Sequence, residues 1–166
     1  MWADQKEERN KFKEIVESIK TGILITHTEM NQLKGRPMNT SRLDNNGNLW
    51  FFTNEFSDHV HEICKNNEVF ISYSSTCSNN YAMVSGNAYL TRDINKINEL
   101  YSPGVKAWFP NGLNDPNLLL IRVEPFEVEY WNGGSGKIVI SFNSTRALFT
   151  DNKYTDGQYK IDLRFL

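Results

Sequence analysis

The chain has 166 residues, 18 basic and 20 acidic side chains and a formal net charge of −2. This balance argues against a nucleic-acid partner, because affinity for a polyanion comes largely from a basic face that neutralises phosphates. The apolar runs are far shorter than the ~18 residues that a membrane-spanning helix needs, so we expect no membrane contact. The length predicts a single domain over residues 1–166.

The N-terminal stretch and the cysteines bear on the compartment. Residues 1–14 are charged where a signal peptide has an apolar core, which predicts a cytoplasmic protein. Cys64 and Cys77 form no CxxC pair and are interpreted as reduced thiols rather than metal ligands. Aromatic residues make up 13% of the chain. They are favoured in β-strands and also line pockets for flat ligands, so the composition predicts a β-rich domain.

The first predicted element is an amphipathic helix over residues 4–20. Its apolar stripe at helical spacing consists of Phe12, Ile15, Val16 and Ile19. Gly22 follows as a natural stop for the helix. Glu8 belongs to the charged side chains that we expect to face solvent.

From residue 22 onward the pattern becomes that of a barrel, predicted over residues 22–131. The predicted strands are 22–26, 36–43, 49–54, 68–75, 81–92, 118–123 and 126–131, with Glu124-Pro125 separating the last two. Asn46-Gly47 is a preferred turn pair and joins the second and third strands into a hairpin. Consecutive antiparallel strands with few helices indicate a small barrel or a curled α+β sheet.

Two short helices are predicted between the strands. Ser57 can cap the first, which has Asp58 in its first turn and the inward-facing residues Val60, Ile63 and Cys64. Asp93 can cap the second, whose apolar stripe includes Ile94, Ile97 and Leu100.

The remaining segments are a loop and a C-terminal extension. Residues 107–116 carry two prolines and a glycine, which predicts a loop, and its Trp108 and Phe109 are expected to cover part of the molecule. Residues 137–166 are interpreted as an extension with a helix over 141–150 and a last strand over 159–165.

Known catalytic motifs are missing from the sequence: it has no GxSxG, GxGxxG, Walker or HExxH pattern. His59 and His61 lie two positions apart on a predicted helix, so they point to different sides and are interpreted as solvated surface residues. We therefore predict no metal site and name no catalytic side chain.

One local arrangement could hold a phosphate. Arg36 opens the first strand of the hairpin, Thr53 closes the second, and Ser57 lies at a helix N-terminus just beyond. A guanidinium, two hydroxyls and free backbone N–H groups are suitable phosphate ligands. The alternative is that Ser57 is only a cap and Arg36 only a surface charge.

Several segments between Phe12 and Trp131 carry a family resemblance. They are Arg36-Pro37-Met38, LWFFTN at 49–54, Ser57, Asn67-Glu68-Val69, YAMVSGNA at 81–88, AWFPNG at 107–112, Asp115-Pro116 and Glu129-Tyr130-Trp131. In this order and spacing the chain resembles the pyridoxamine-phosphate-oxidase-like split-barrel flavoproteins, most closely the general stress protein 26 branch. The resemblance implies a mainly β fold: a six-stranded antiparallel split barrel with short peripheral helices. It also implies a homodimer with FMN bound in clefts between the subunits.

The resemblance also implies a set of cofactor-binding residues. Arg36 matches the arginine that pairs with the FMN phosphate, and Thr53 and Ser57 match phosphate-binding hydroxyls. The other matching positions are Met38, Asn39, Thr40 and Ser41 beside the flavin ring, Phe52 on the returning strand, Tyr81 from the second subunit, and Trp108 on a loop near the ring.

Two departures from the family pattern affect the expected function. Asp58 and His59 stand where relatives have a basic pair that touches the phosphate, so FMN binding is expected to be weak or absent unless His59 or nearby cations compensate. The pyridoxal-recognition segment is missing from 151–166, so a true pyridoxamine-phosphate oxidase is not expected. Two hypotheses remain: an FMN-binding oxidoreductase, or a non-catalytic binding protein that holds haem, a deazaflavin or no ligand.

Overall fold

The computed structural model describes residues 2–133, 135–142 and 149–153, and it is mainly β. The helices are α1 (Trp2–Ile19), α2 (Asp58–Lys65) and α3 (Ile94–Leu100). The strands are β1 (Thr21–His27), β2 (Leu33–Leu43), β3 (Leu49–Asn54), β4 (Glu68–Ser75), β5 (Asn80–Thr91), β6 (Leu118–Asn132), β7 (Ser135–Phe142) and β8 (Phe149–Lys153). Within the described ranges, no helix is long and apolar enough to cross a membrane.

Six of the strands close into a barrel. Around the ring the order is β1, β2, β3, β6, β5 and β4, and each neighbouring pair is antiparallel. The second half of β6 pairs with β5 on one edge and with β7 on the other, and β7 pairs with β8. The predicted six-stranded antiparallel barrel is therefore confirmed.

The barrel interior is filled by the alternate residues of each strand whose side chains point inward. The fully buried side chains include Leu24, Phe51, Ile71, Val84 and Ile121. The predicted stripe of α1 packs into the same cluster through Phe12, Ile15 and Val16. Glu8 was expected in solvent, but this part of the prediction is wrong: its side chain is buried and accepts a hydrogen bond from the Tyr130 hydroxyl.

A second apolar cluster covers the outer face of β3 and β6. It consists of Trp50, Ile97, Leu100, Phe109, Leu118 and Leu120. Asp93 caps α3 as predicted, accepting from the backbone N–H groups of Asn95 and Lys96. Ile94 is 72% exposed, so the prediction that it belongs to the apolar stripe of this helix is wrong. The expected covering role of the 107–116 segment is met by Phe109, whereas Trp108 is exposed.

Two predicted segments near the C-terminus differ from the structure. Residues 118–131 form one continuous strand because Pro125, which has no N–H to donate, lies beside a shift of register between Ser85 and Gly86. The helix expected over 141–150 is wrong at both ends, since residues 141–142 and 149–150 belong to β7 and β8, where the pairing of β7 with β6 and with β8 outweighs helical periodicity. Residues 143–148 and the strand expected over 159–165 lie outside the described residues.

The pairing of β2 changes along its length, and this change positions the candidate site. Its first part, Leu33–Asn39, pairs with β1, whereas pairing with β3 involves only Thr40, Arg42 and Leu43. Within the described part of the chain, the second edge of β2 over 33–39 therefore has no strand beside it. α2 packs against β1 and β5 near this region.

Candidate functional site

Arg36 is the centre of a buried polar network. Its Nη1 donates to Thr26 Oγ1 at 2.6 Å, and its Nη2 donates to Glu62 Oε2 at 2.8 Å. Thr26 in turn donates to the same carboxylate oxygen at 2.5 Å. Thr26 and Glu62 are buried and the Arg36 side chain is only 16% exposed. The interpretation of Arg36 as a surface charge is therefore wrong.

The sheet register explains why Arg36 and Thr26 meet. Leu24 lies opposite Arg36 and Thr26 lies opposite Lys34 in the antiparallel pair of β1 and β2. Directly opposite residues share one face of a sheet, and Leu24 faces the barrel interior. Lys34 and Arg36 thus extend from the inner face towards α2, which supplies the carboxylate of Glu62.

Glu62 is a functional candidate that sequence reasoning missed. It lies three positions after His59, and both are buried on the inner face of α2 together with Val60 and Ile63. Positions three apart on a helix share a face, so this spacing was the available signal. Cys64 was also expected on that face, but it is exposed, so this part of the prediction is wrong.

His59 is a buried and neutral group. Its Nε2 lies 2.6 Å from Thr53 Oγ1. Burial, reinforced by the positive charge of Arg36, lowers the pKa of His59 to about 4. The expectation of a solvated surface residue holds for His61, which is exposed and lies 3.1 Å from Glu29, but it is wrong for His59.

The start of α2 carries Ser57 and Asp58. Ser57 is the N-cap residue, but its side chain makes no capping hydrogen bond. Asp58 is exposed and its Oδ2 lies 3.0 Å from Lys34 Nζ. The hydrogen bond and the charge of Lys34 hold the pKa of the Asp58 carboxyl below its usual range. The hydroxyl of Ser57 is therefore not used for capping, whereas Asp58 has a cation partner.

A cavity of about 590 Å³ lies beside this helix start. Its lining residues are Thr28, Glu29, Met30, Gln32, Glu55, Phe56, Ser57, Asp58, His61 and Glu62. The carboxylates on the lining are paired: Glu29 with Lys65 and His61, and Glu55 with Arg92. The charges around the cavity are therefore already matched.

The residues expected to bind a cofactor lie in three places: around α2, along β2 and on other surfaces. Arg36, Thr53, Ser57 and His59 come together around α2. Met38 packs on the barrel core and Thr40 lies 2.7 Å from the Tyr73 hydroxyl, so both side chains point inward from β2. Asn39 is exposed and Ser41 is half-buried at the shift of register in β2.

The other expected positions lie on different surfaces. Phe52 packs on the outer cluster, on the opposite face of β3 from Thr53. Tyr81 is partly exposed at the start of β5, and Trp108 is 80% exposed on the segment after α3. The single chain therefore assembles only part of the predicted set.

A closed split barrel with a polar network beneath a short helix defines this chain as a protein of the split-barrel class. The family model of pyridoxamine 5'-phosphate oxidase like proteins matches residues 7–155, and the chain belongs to that family. The resemblance noted in the sequence is confirmed by this match.

Solved structures and curated relatives give more specific similarities. The general stress FMN/FAD binding protein of Xanthomonas citri is 28% identical, with a TM-score of 0.68 over 79% of this chain and 92% of the other. A protein related to general stress protein 26, from Clostridium acetobutylicum, has 21% identity and a TM-score of 0.70 over 79% and 92% of the two chains, which shows the fold alone. Protein bli-3 of Neurospora crassa is 29% identical over 90 residues, and the match spans 49% of this chain but only 43% of that relative.

The charges beside α2 do not fit the phosphate of FMN, the cofactor that the resemblance implies. Lys34 and Arg36 are each paired with a carboxylate of α2, and burial keeps His59 neutral. A phosphomonoester adds about −1.5 to −2 charges at neutral pH. The positive charges at this site are therefore already matched by anions of the same chain.

Proposed function

We propose that this protein binds a flavin and acts as an oxidoreductase of the general stress protein type. The observation that carries the proposal is the edge of β2 over Leu33–Asn39, which has no strand beside it in the described structure. Backbone N–H and C=O groups need partners, and a flat ring with polar edges can supply them. FMN is the flavin form that the resemblance implies.

The redox chemistry in this proposal belongs to the flavin. A bound flavin supplies hydride or electron transfer, while the protein supplies binding, orientation and electrostatics. Glu62 is held by Arg36 and Thr26, and His59 is held by Thr53. These side chains serve to shape the site, so we assign none of them as a general acid or base.

We also propose that the protein is a cytoplasmic homodimer. The outer faces of β1, β4 and β5 carry a row in which Ile23 lies opposite Ser72, and Ser72 lies opposite Met83. Ile23 and Met83 are both more than one-third exposed, and Tyr81 and Tyr89 add further apolar surface on β5. An apolar strip of this kind supports pairing of two copies. Sedimentation showing only a 19.2 kDa species would contradict it.

A flavin titration tests the main proposal. We expect the visible absorbance and fluorescence of added FMN or riboflavin to change saturably, at one flavin per chain. An absorbance band typical of haem in the purified protein would support the alternative of a binding protein with another ligand. No change on addition of either flavin would overturn flavin binding.

Two serine variants locate the site. Ser57 and Ser102 both precede helical turns without using their side chains as caps, but only Ser57 lines the cavity. Ser57→Ala should weaken flavin binding about fivefold, the value of one hydrogen bond of about 1 kcal/mol. Ser102→Ala is the control and should leave binding unchanged. Equal effects of the two variants would place the ligand elsewhere.

A further inference from the structure

The two basic side chains of β2 near α2 are already neutralised by that helix. Lys34 Nζ lies 3.0 Å from Asp58 Oδ2, and Arg36 Nη2 lies 2.8 Å from Glu62 Oε2. Two positive charges are thus balanced by two negative charges of the same chain. A ligand phosphate placed here would meet no net positive charge.

His59 does not alter this balance. It is buried, hydrogen-bonded to Thr53, and has a pKa of about 4 because burial disfavours the charged imidazole. Near neutral pH it is therefore a neutral hydrogen-bonding group. It replaces neither of the cations that relatives of this chain are expected to have at the phosphate.

Arg36 cannot turn away from Glu62 to bind a phosphate without a cost in free energy. Glu62 is 7% exposed and would remain as a buried anion without its cation if the guanidinium turned away. Thr26, which is fully buried, would lose the N–H group that Arg36 donates to it. The network therefore holds Arg36 in its present position.

A ligand with a neutral hydroxyl group does not require Arg36 to leave Glu62 and Thr26. A guanidinium has five N–H donors, and Arg36 uses two of its nitrogens in the network, so it retains donors for a further acceptor. The Ser57 hydroxyl is not used as a helix cap and can both donate and accept. Hydrogen bonds of this kind suit the hydroxyl at the end of an unphosphorylated ribityl chain.

We propose, on the basis of the flavin-binding function above, that this site binds riboflavin at least as tightly as FMN. In this proposal Asp58 and Glu62 are the residues that determine specificity, because they occupy the cations that would otherwise favour the phosphate. The ligand class of this site is therefore a flavin, with or without a terminal phosphate.

Parallel titrations of the full chain with riboflavin and FMN test this proposal through quenching of flavin fluorescence, at pH 7.5 and fixed low salt. For the wild type we expect a Kd for FMN equal to or greater than that for riboflavin. Asp58→Asn should lower the ratio of the FMN Kd to the riboflavin Kd about fivefold, because it removes one negative charge close to the phosphate position. The Asp58 side chain is 77% exposed, so this variant is expected to fold, which thermal unfolding verifies.

Glu99→Gln is the matched control. Glu99 is also an exposed carboxylate paired with a β2 cation, at 2.6 Å from Arg42, but it belongs to α3. Its replacement should leave the ratio of the two Kd values unchanged. A wild-type preference for FMN of tenfold or more, or an equal response of the ratio in both variants, would overturn the inference while leaving flavin binding intact. Binding of neither flavin would overturn the proposed function and this inference with it.

Discussion

The two helices at opposite ends of β1 contrast in chemistry. α1 precedes Thr21 and packs mainly apolar side chains into the core, with Glu8 buried against the Tyr130 hydroxyl. α2 contacts the other end of β1 through the hydrogen bond between Thr26 and Glu62. α2 contributes Ile63 to the core but also buries His59 and Glu62. Burial of apolar groups stabilises a fold, while buried polar groups cost free energy unless they are paired. The contrast assigns a stabilising role to the α1 end, whereas the α2 end is where the proposed binding site lies.

The largest expected effect lies at the α1 end. Phe12 is 3% exposed in the core cluster, so Phe12→Ala should lower the free energy of unfolding by about 3–5 kcal/mol through lost burial and a cavity. Phe56, next to the start of α2, is 78% exposed, and Phe56→Ala should change the free energy of unfolding by less than about 0.5 kcal/mol. Urea unfolding measures both variants. Similar losses would contradict the contrast between the two ends.

A smaller effect separates the two ion pairs of α2. A double-mutant cycle on Arg36 and Glu62, with Met at both positions, should give a coupling energy of about 1–3 kcal/mol because both groups are largely desolvated. The exposed pair of Lys34 and Asp58 should give a clearly smaller coupling energy in the same experiment, because both side chains remain in contact with solvent. Coupling energies of equal size, again from urea unfolding, would show that Arg36 is not part of a buried network.

The smallest expected effect is a pH dependence from the α2 end. His59 has a folded pKa of about 4, below its ordinary value of 6.5, so between these values the unfolded chain binds a proton that the folded chain does not. The free energy of unfolding should therefore fall on acidification through this window, by about 1–2 kcal/mol at pH 5.

His59→Gln should remove this loss, because the amide keeps a hydrogen-bonding group near Thr53 without taking up a proton. His61→Gln is the control: His61 is exposed, so this variant should retain the wild-type dependence. Urea unfolding at pH 7.5, 6 and 5 measures all three proteins. A loss of the same size in His59→Gln would assign the dependence to other groups.

Local sequence patterns determined much of the barrel. The stripe of Phe12, Ile15 and Val16, the hairpin turn with Gly47 at φ 87°, and the Asp93 cap depend on residues only a few positions apart. Propensities, turn conformations and caps act over such short ranges, so the sequence states them directly. The order of the matching segments was sufficient to identify the family.

The polar network was decided only by the tertiary structure. Arg36 and Glu62 lie 26 positions apart, and they meet because the register of β1 with β2 and the packing of α2 bring them to one place. The continuous β6 likewise depends on ladder partners in β3 and β5 that are distant in the chain. Ion pairing, burial and strand pairing are properties of neighbours in space. A sequence pattern specifies which groups can form them, but closure of the barrel selects the partners.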